Sequence, residues 1–213
     1  MKTVQINLAG FEVPIYDVSV FGFEPGVTVL LGCNGSGKTT LMREIEKRLK
    51  EDGVETYSYD IKNANQKLSG GLVTGGLNAE NSALYLMSKF MSEGEQMKCH
   101  LEILVPDFGR YVSNVEKNDV REGWAFFDSL DSGWSIDNCK EFAEFLDNTV
   151  LKSKPESTDL YILISANSYE LANHDGWDRV DVQTGAHLNR FESYENYADY
   201  VMRTRRHKEE IWS

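Results

Sequence analysis

The sequence predicts an α/β fold, with a mainly parallel sheet flanked by helices, an antiparallel β element before residue 22 and a small helical insertion. Three observations predict it. Residues 27–31, 124–128 and 160–164 are short, almost wholly apolar runs, the pattern of strands covered on both faces. Stretches of helical periodicity lie between them, which calls for parallel strands joined by right-handed crossovers. The first run leads directly into a glycine-rich loop and then a helix.

Taken in order, residues 3–8 and 12–21 alternate apolar and polar side chains around a turn, as a hairpin or edge sheet does. The run 27–31 is the first buried strand. A helix is expected over 39–50, where Leu41, Ile45 and Leu49 repeat every four positions. Residues 54–61 read as a strand, and the glycine-rich stretch 67–76 reads as a loop. Helices are expected over 81–90 and 96–105, the second bent or ended by Pro106. The strand 124–128 closes on Asp128 and is expected beside the first one. A helix over 136–151, a strand over 160–164 and a hairpin over 179–191 turning at Thr184-Gly185 follow. The last helix is expected over 194–208.

The 213 residues suffice for one α/β domain with a full core, and 41% hydrophobic and 26% charged residues are ordinary for a globular protein. No stretch has the ~18–20 uninterrupted apolar residues of a membrane helix. The first residues lack the basic-then-apolar layout of a secretion signal, so a cytoplasmic protein is expected. Cys33, Cys99 and Cys139 are far apart and odd in number, and are read as reduced thiols. A net charge of −12 weighs against nucleic acid as a partner, because such binders carry basic surfaces. The exception, Arg203-Thr204-Arg205-Arg206-His207-Lys208, reads as a solvated helix end with basic residues near its negative pole.

The chemistry concentrates in Gly32-Cys33-Asn34-Gly35-Ser36-Gly37-Lys38-Thr39. It matches G-x-x-x-x-G-K-[ST] in full, between a strand and a helix, the context this phosphate-binding P-loop requires. Its glycines let successive backbone N–H groups point at phosphates beside the positive end of the following helix. Lys38 would neutralise the β- and γ-phosphates, and the Thr39 hydroxyl would ligate Mg²⁺. The expected ligand is therefore ATP or GTP with Mg²⁺, on a P-loop NTPase fold. Asp128, ending a strand near the loop, would place a carboxylate at the same Mg²⁺. Cys33 reads as a small filler of the loop.

Several motifs together carry a family resemblance. Residues 32–40, GCNGSGKTT, are similar to the G-x-N-G-x-G-K-[ST]-T form of ABC-type ATPases, including Asn34 and Thr40. Met91-Ser92-Glu93-Gly94-Glu95-Gln96 resembles the family's signature, LSGGQ or LS-x-GE, and is preferred to the literal Leu68-Ser69-Gly70-Gly71 because it opens a helical stretch nearer Asp128. Ser129-Leu130-Asp131-Ser132-Gly133-Trp134-Ser135 resembles the D-E-P-x-S-G-L-D segment, and residues 164–171, ISANSYEL, look like the switch segment I-S-T-H-S-P-E-L. The chain is thereby identified as similar to small stand-alone ABC-type ATPases of phages and bacteria, akin to SMC and recombination-repair heads. The resemblance implies a single nucleotide-binding domain over 1–213 with its helical and signature insertion at about 62–120. It implies ATP and Mg²⁺ as ligands, and a homodimer closing head to tail around two ATP molecules. Each ATP would lie between one copy's Lys38 loop and the other's Ser92 and Gly94. Gln66 would be the family's Mg²⁺-sensing glutamine, and Tyr16 or Phe11 would stack on adenine.

Two departures change the expected activity. Ser129 stands where the family has the glutamate that polarises the attacking water, and Asn167 stands for the switch histidine. Serine alone is no general base near neutral pH, and asparagine carries no titratable proton. Asp131 is a candidate substitute for the missing acid. The expected function is an ATP-dependent dimerising switch with weak or slow hydrolysis. Three other readings are an ATPase subunit of a membrane transporter, a small-molecule P-loop kinase and, through the basic 203–208 run or a partner, DNA-linked work as in repair-type relatives. The first is disfavoured by the altered hydrolytic residues. The second is disfavoured by the scarcity of lid arginines, since only Arg110 and Arg121 fall between 60 and 150.

Overall fold

The computed structural model describes residues 1–8, 15–60, 93–118, 120–131, 134–152 and 158–211, with the backbone alone at 60, 93–103, 116 and 149. Two short strands, β1 (Lys2–Gln5) and β2 (Val20–Phe23), pair antiparallel. Five more form a wholly parallel sheet: β3 (Gly26–Leu31), β4 (Thr56–Asp60), β5 (Glu122–Asp128), β6 (Asp159–Ser165) and β7 (Asp178–Asp181). Their order across the sheet is β4-β5-β6-β3-β7.

Period-two alternation sorts the apolar runs onto two faces. Val27, Val29, Leu31, Ala125, Phe127, Ile162 and Ile164 point into one core, while Leu30, Trp124, Phe126, Tyr161 and Leu163 point into the other. The second face is covered by α1 (Lys38–Glu51), through Leu41, Met42, Ile45 and Leu49, and by the apolar side of β1 and β2. Covering the first are α2 (Glu93–Lys117), α3 (Ile136–Phe145), α4 (Tyr169–Ala172) and α5 (Tyr194–Ile211). Among the described residues no helix is long and apolar enough to cross a membrane.

The connections decide where a ligand can sit. From β3 the chain crosses the second face through α1 to the β4 edge; from β6 it passes α4 on the first face to β7, on the other side of β3. Adjacent strands β3 and β6 thus send their connections apart, on opposite faces. Their carboxyl ends form the topological switch point, where open α/β sheets usually place a ligand crevice.

The structure departs from the sequence expectations at four places. The strand ending in Asp128 is not beside β3, because β6 inserts between them. Pro106 does not end its helix: α2 runs on to Lys117, anchored by Leu104, Phe108, Val112 and Val115 packed on the sheet. The 136–151 helix becomes a π-helical turn over Leu146–Leu151, which keeps Leu146 and Val150 in the core. The 179–191 hairpin is reduced to one bridge, Val180 to His187, flanked by the Asp181–Ala186 and Leu188–Arg179 backbone bonds, while β7 pairs β3 on its other edge. The loop 67–76 and the helix 81–90 lie outside the described residues.

Candidate functional site

The site is built at the β3–β6 crevice, beginning with the loop between β3 and α1. Gly35 and Gly37 adopt positive φ, 76° and 96°, and Gly37 caps α1 without a side chain. A Cβ at Gly37 would fall 2.8 Å from the Tyr16 hydroxyl oxygen, so glycine is needed for space as well as for torsion. The first turn of α1 carries neither a side-chain cap nor an acidic residue. Its orphan amides therefore have no capping side chain at the start of the helix.

Lys38 folds back over the loop, donating to the carbonyls of Gly32 (2.7 Å) and Cys33 (3.1 Å), and is 7% exposed. Burial lowers its amine below the ordinary lysine range, while Cys33, Asp131 and Asp128 act in the opposite direction. Thr39 donates to Asp128 Oδ1 at 3.0 Å. The contact spans two strand positions, with β6 lying between β3 and β5. Ser165, at the end of the intervening β6, donates to the same Asp128 oxygen at 2.5 Å and accepts the Ser129 N–H at 2.8 Å.

Ser129 has φ 52°, the only positive φ at a non-glycine residue among those described. Its hydroxyl lies 3.4 Å from Asp128 Oδ1, a weak bond. Asp131 turns back to the β6–α4 corner, where its Oδ2 accepts the N–H groups of Asn167 and Ser168. Its Oδ1 is buried and makes no hydrogen bond, as is also true of Ser36 Oγ in the loop. Asn167 is exposed; its carbonyl accepts from Tyr197 at 2.6 Å.

Of the residues picked out by sequence, Asn34, Gly35, Ser36, Gly37, Lys38, Thr39 and Thr40 lie in the loop and the first turn of α1. Asp128 and Ser129 join them, and Asn167 is tied to them through Asp131. Gly94 falls in the first turn of α2. Ser92, Gln66 and Phe11 lie outside the described residues. Tyr16 is not free to stack on adenine: it is 2% exposed, packs edge-on against Phe21 and donates to the Gly37 carbonyl at 2.8 Å.

Sequence reasoning missed Ser165, Thr204 and Lys208. Ser165 carries a signal, a hydroxyl closing an otherwise apolar buried strand. Thr204 accepts the Cys33 N–H at 3.0 Å, and Lys208 donates to the Asn34 carbonyl at 3.1 Å. The basic end of α5 is therefore not simply a solvated helix terminus, because two of its side chains hold the loop. Neither a family model, nor a curated protein, nor a solved structure matches the chain.

Proposed function

We propose that the chain is an ABC-type P-loop nucleotide-binding domain that binds ATP with Mg²⁺ and dimerises on binding, with weak or slow hydrolysis. The observation that carries the reading is the Thr39–Asp128 hydrogen bond beside a lysine folded over a glycine-turned loop. A hydroxyl and a carboxylate held together are the donor set Mg²⁺ takes when phosphate oxygens and water complete its shell. The uncapped first turn of α1 and the unpartnered Ser36 hydroxyl suit a phosphate group.

In this reading the amides of 35–39 receive the inner phosphates, and Lys38 exchanges two carbonyls for charged oxygens. Thr39 and Asp128 hold Mg²⁺, which would neutralise the triphosphate and orient it. Ser165 fixes the Asp128 carboxylate, keeping its oxygen directed at Thr39. Water activation is the weak point. Ser129 supplies no base near neutral pH, and Asp131, the nearest alternative, already holds two amides of the β6–α4 corner. Closure of two copies around two ATP molecules rests on the resemblance of residues 91–96 to the family signature.

Calorimetric titration with Mg-ATP tests binding. Lys38→Ala is expected to weaken it about 10- to 150-fold, the ~1.5–3 kcal/mol of a hydrogen bond to a charged group. Wild-type protein that binds no nucleoside triphosphate would end the proposal. Phosphate release tests hydrolysis: Ser129→Glu is expected to speed a slow wild type, and brisk wild-type turnover left unchanged by the substitution would remove the slow-switch part.

A further inference from the structure

Tyr200, Thr204 and Lys208 form one four-residue stripe along α5, and its last two members sit on the glycine-rich loop. Thr204 accepts the Cys33 N–H and donates its own hydroxyl to the Val201 carbonyl at 2.8 Å, so it anchors the helix to the loop. Lys208 reaches the loop's apex: a Cβ on Gly35 would fall 2.7 Å from its amine. Among the described residues its amine bonds the Asn34 carbonyl and pairs with no carboxylate. Along the same helix Arg205 pairs with Glu209 at 3.0 Å, and His207 Nε2 lies 3.9 Å from Asp17.

Two ammonium groups are thus directed at one eight-residue loop, each satisfied by neutral carbonyls. Lys38 has Asp128 and Asp131 nearby, whereas no carboxylate pairs with Lys208 among the described residues. A phosphate oxygen adds the attraction of opposite charges to the hydrogen bond, which a neutral carbonyl does not offer, so an arriving phosphate outcompetes the Asn34 carbonyl. Lysine's long stem and three rotatable donors allow the exchange without moving the helix. The loop amides and the start of α1 enclose the inner phosphates. A cation approaching over Asn34 and Gly35 meets the phosphate they leave outside.

We propose that Lys208 is a cationic finger supplied in cis, which leaves Asn34 for the terminal phosphate of a nucleoside triphosphate and makes α5 the reader of that phosphate. The inference rests on the nucleotide-binding reading of the loop. The test compares wild type, Lys208→Met and Lys208→Arg, each titrated with Mg²⁺ plus a non-hydrolysable ATP analogue or ADP. Lys208→Met is expected to lose about tenfold in affinity for the analogue and less than about twofold for ADP, with Lys208→Arg recovering most of the loss. The analogue, but not ADP, is expected to slow hydrogen exchange over residues 201–209 in wild type. A contact that only braces the fold would not produce that difference. Equal losses for both ligands, or no loss with either, overturn the proposal while nucleotide binding stands. A wild type that binds neither ligand overturns both.

Discussion

Lys38 is held where its charge is least welcome, buried and bonded only to two carbonyls. Because burial lowers its amine, folding takes up this lysine with a weaker hold on its proton than the unfolded chain has. That cost is present in full below the lowered folded value and is relieved as pH rises toward the unfolded value of 10.5. Lys38→Met is therefore expected to leave the free protein equally stable or more stable, by up to ~2 kcal/mol. Denaturant titrations should show a larger gain at pH 7 than at pH 10. Ser129 bears a different strain. At φ 52° an L-residue costs about 1–2 kcal/mol, so Ser129→Gly should raise stability by about 1 kcal/mol after glycine's entropy is counted. Lys38, Thr39 and Asp128 could be picked out along the chain because a G-x-x-x-x-G-K-[ST] pattern and an apolar run ending in an acid are both visible without the fold. Thr204 and Lys208 could not, since 171 and 174 residues separate them from their loop partners and only the docking of α5 brings them there.

At the scale of elements, hydrophobic period was the reliable guide. The apolar stripe of α1 and the three continuous runs announced themselves, and Ile45, wholly buried at the centre of that stripe, should cost ~2–5 kcal/mol as alanine. Period also explains why Pro106 misled. The residue is exposed, and the stripe Leu104, Phe108, Val112, Val115 continues past it, so packing outweighs a lost N–H and a ring clash. With no side-chain contact in the core to lose, Pro106→Ala should stabilise the protein by about 1–3 kcal/mol, read from a shifted denaturant midpoint at constant slope. The π-helical turn at Leu146–Leu151 was invisible beforehand. It rests on how Leu146 and Val150 fit the sheet, which no local pattern encodes.

For the whole molecule, strand order was the hidden variable. Nothing in residues 160–164 says that they insert between the other two buried strands, yet this insertion supplies Ser165 as the bridge to Asp128. Composition, by contrast, speaks directly to association. Two copies at −12 each repel one another, so the proposed dimerisation with Mg-ATP should strengthen as salt shortens the screening length. Light scattering at saturating nucleotide should give a heavier average mass at 0.2 M salt than at 0.02 M. A monomer at every salt and protein concentration would remove the dimer.

The hold of α5 on the loop also has a consequence in time. During synthesis the amide of Cys33 waits for Thr204, 171 residues later, before it finds its partner. At about 5–20 residues per second, that interval is roughly 10–35 s. Throughout it, a nascent chain carries the loop and α1 without the helix that braces them. If the loop takes nucleotide, the ribosome exposes an unbraced form of the site well before the finished one.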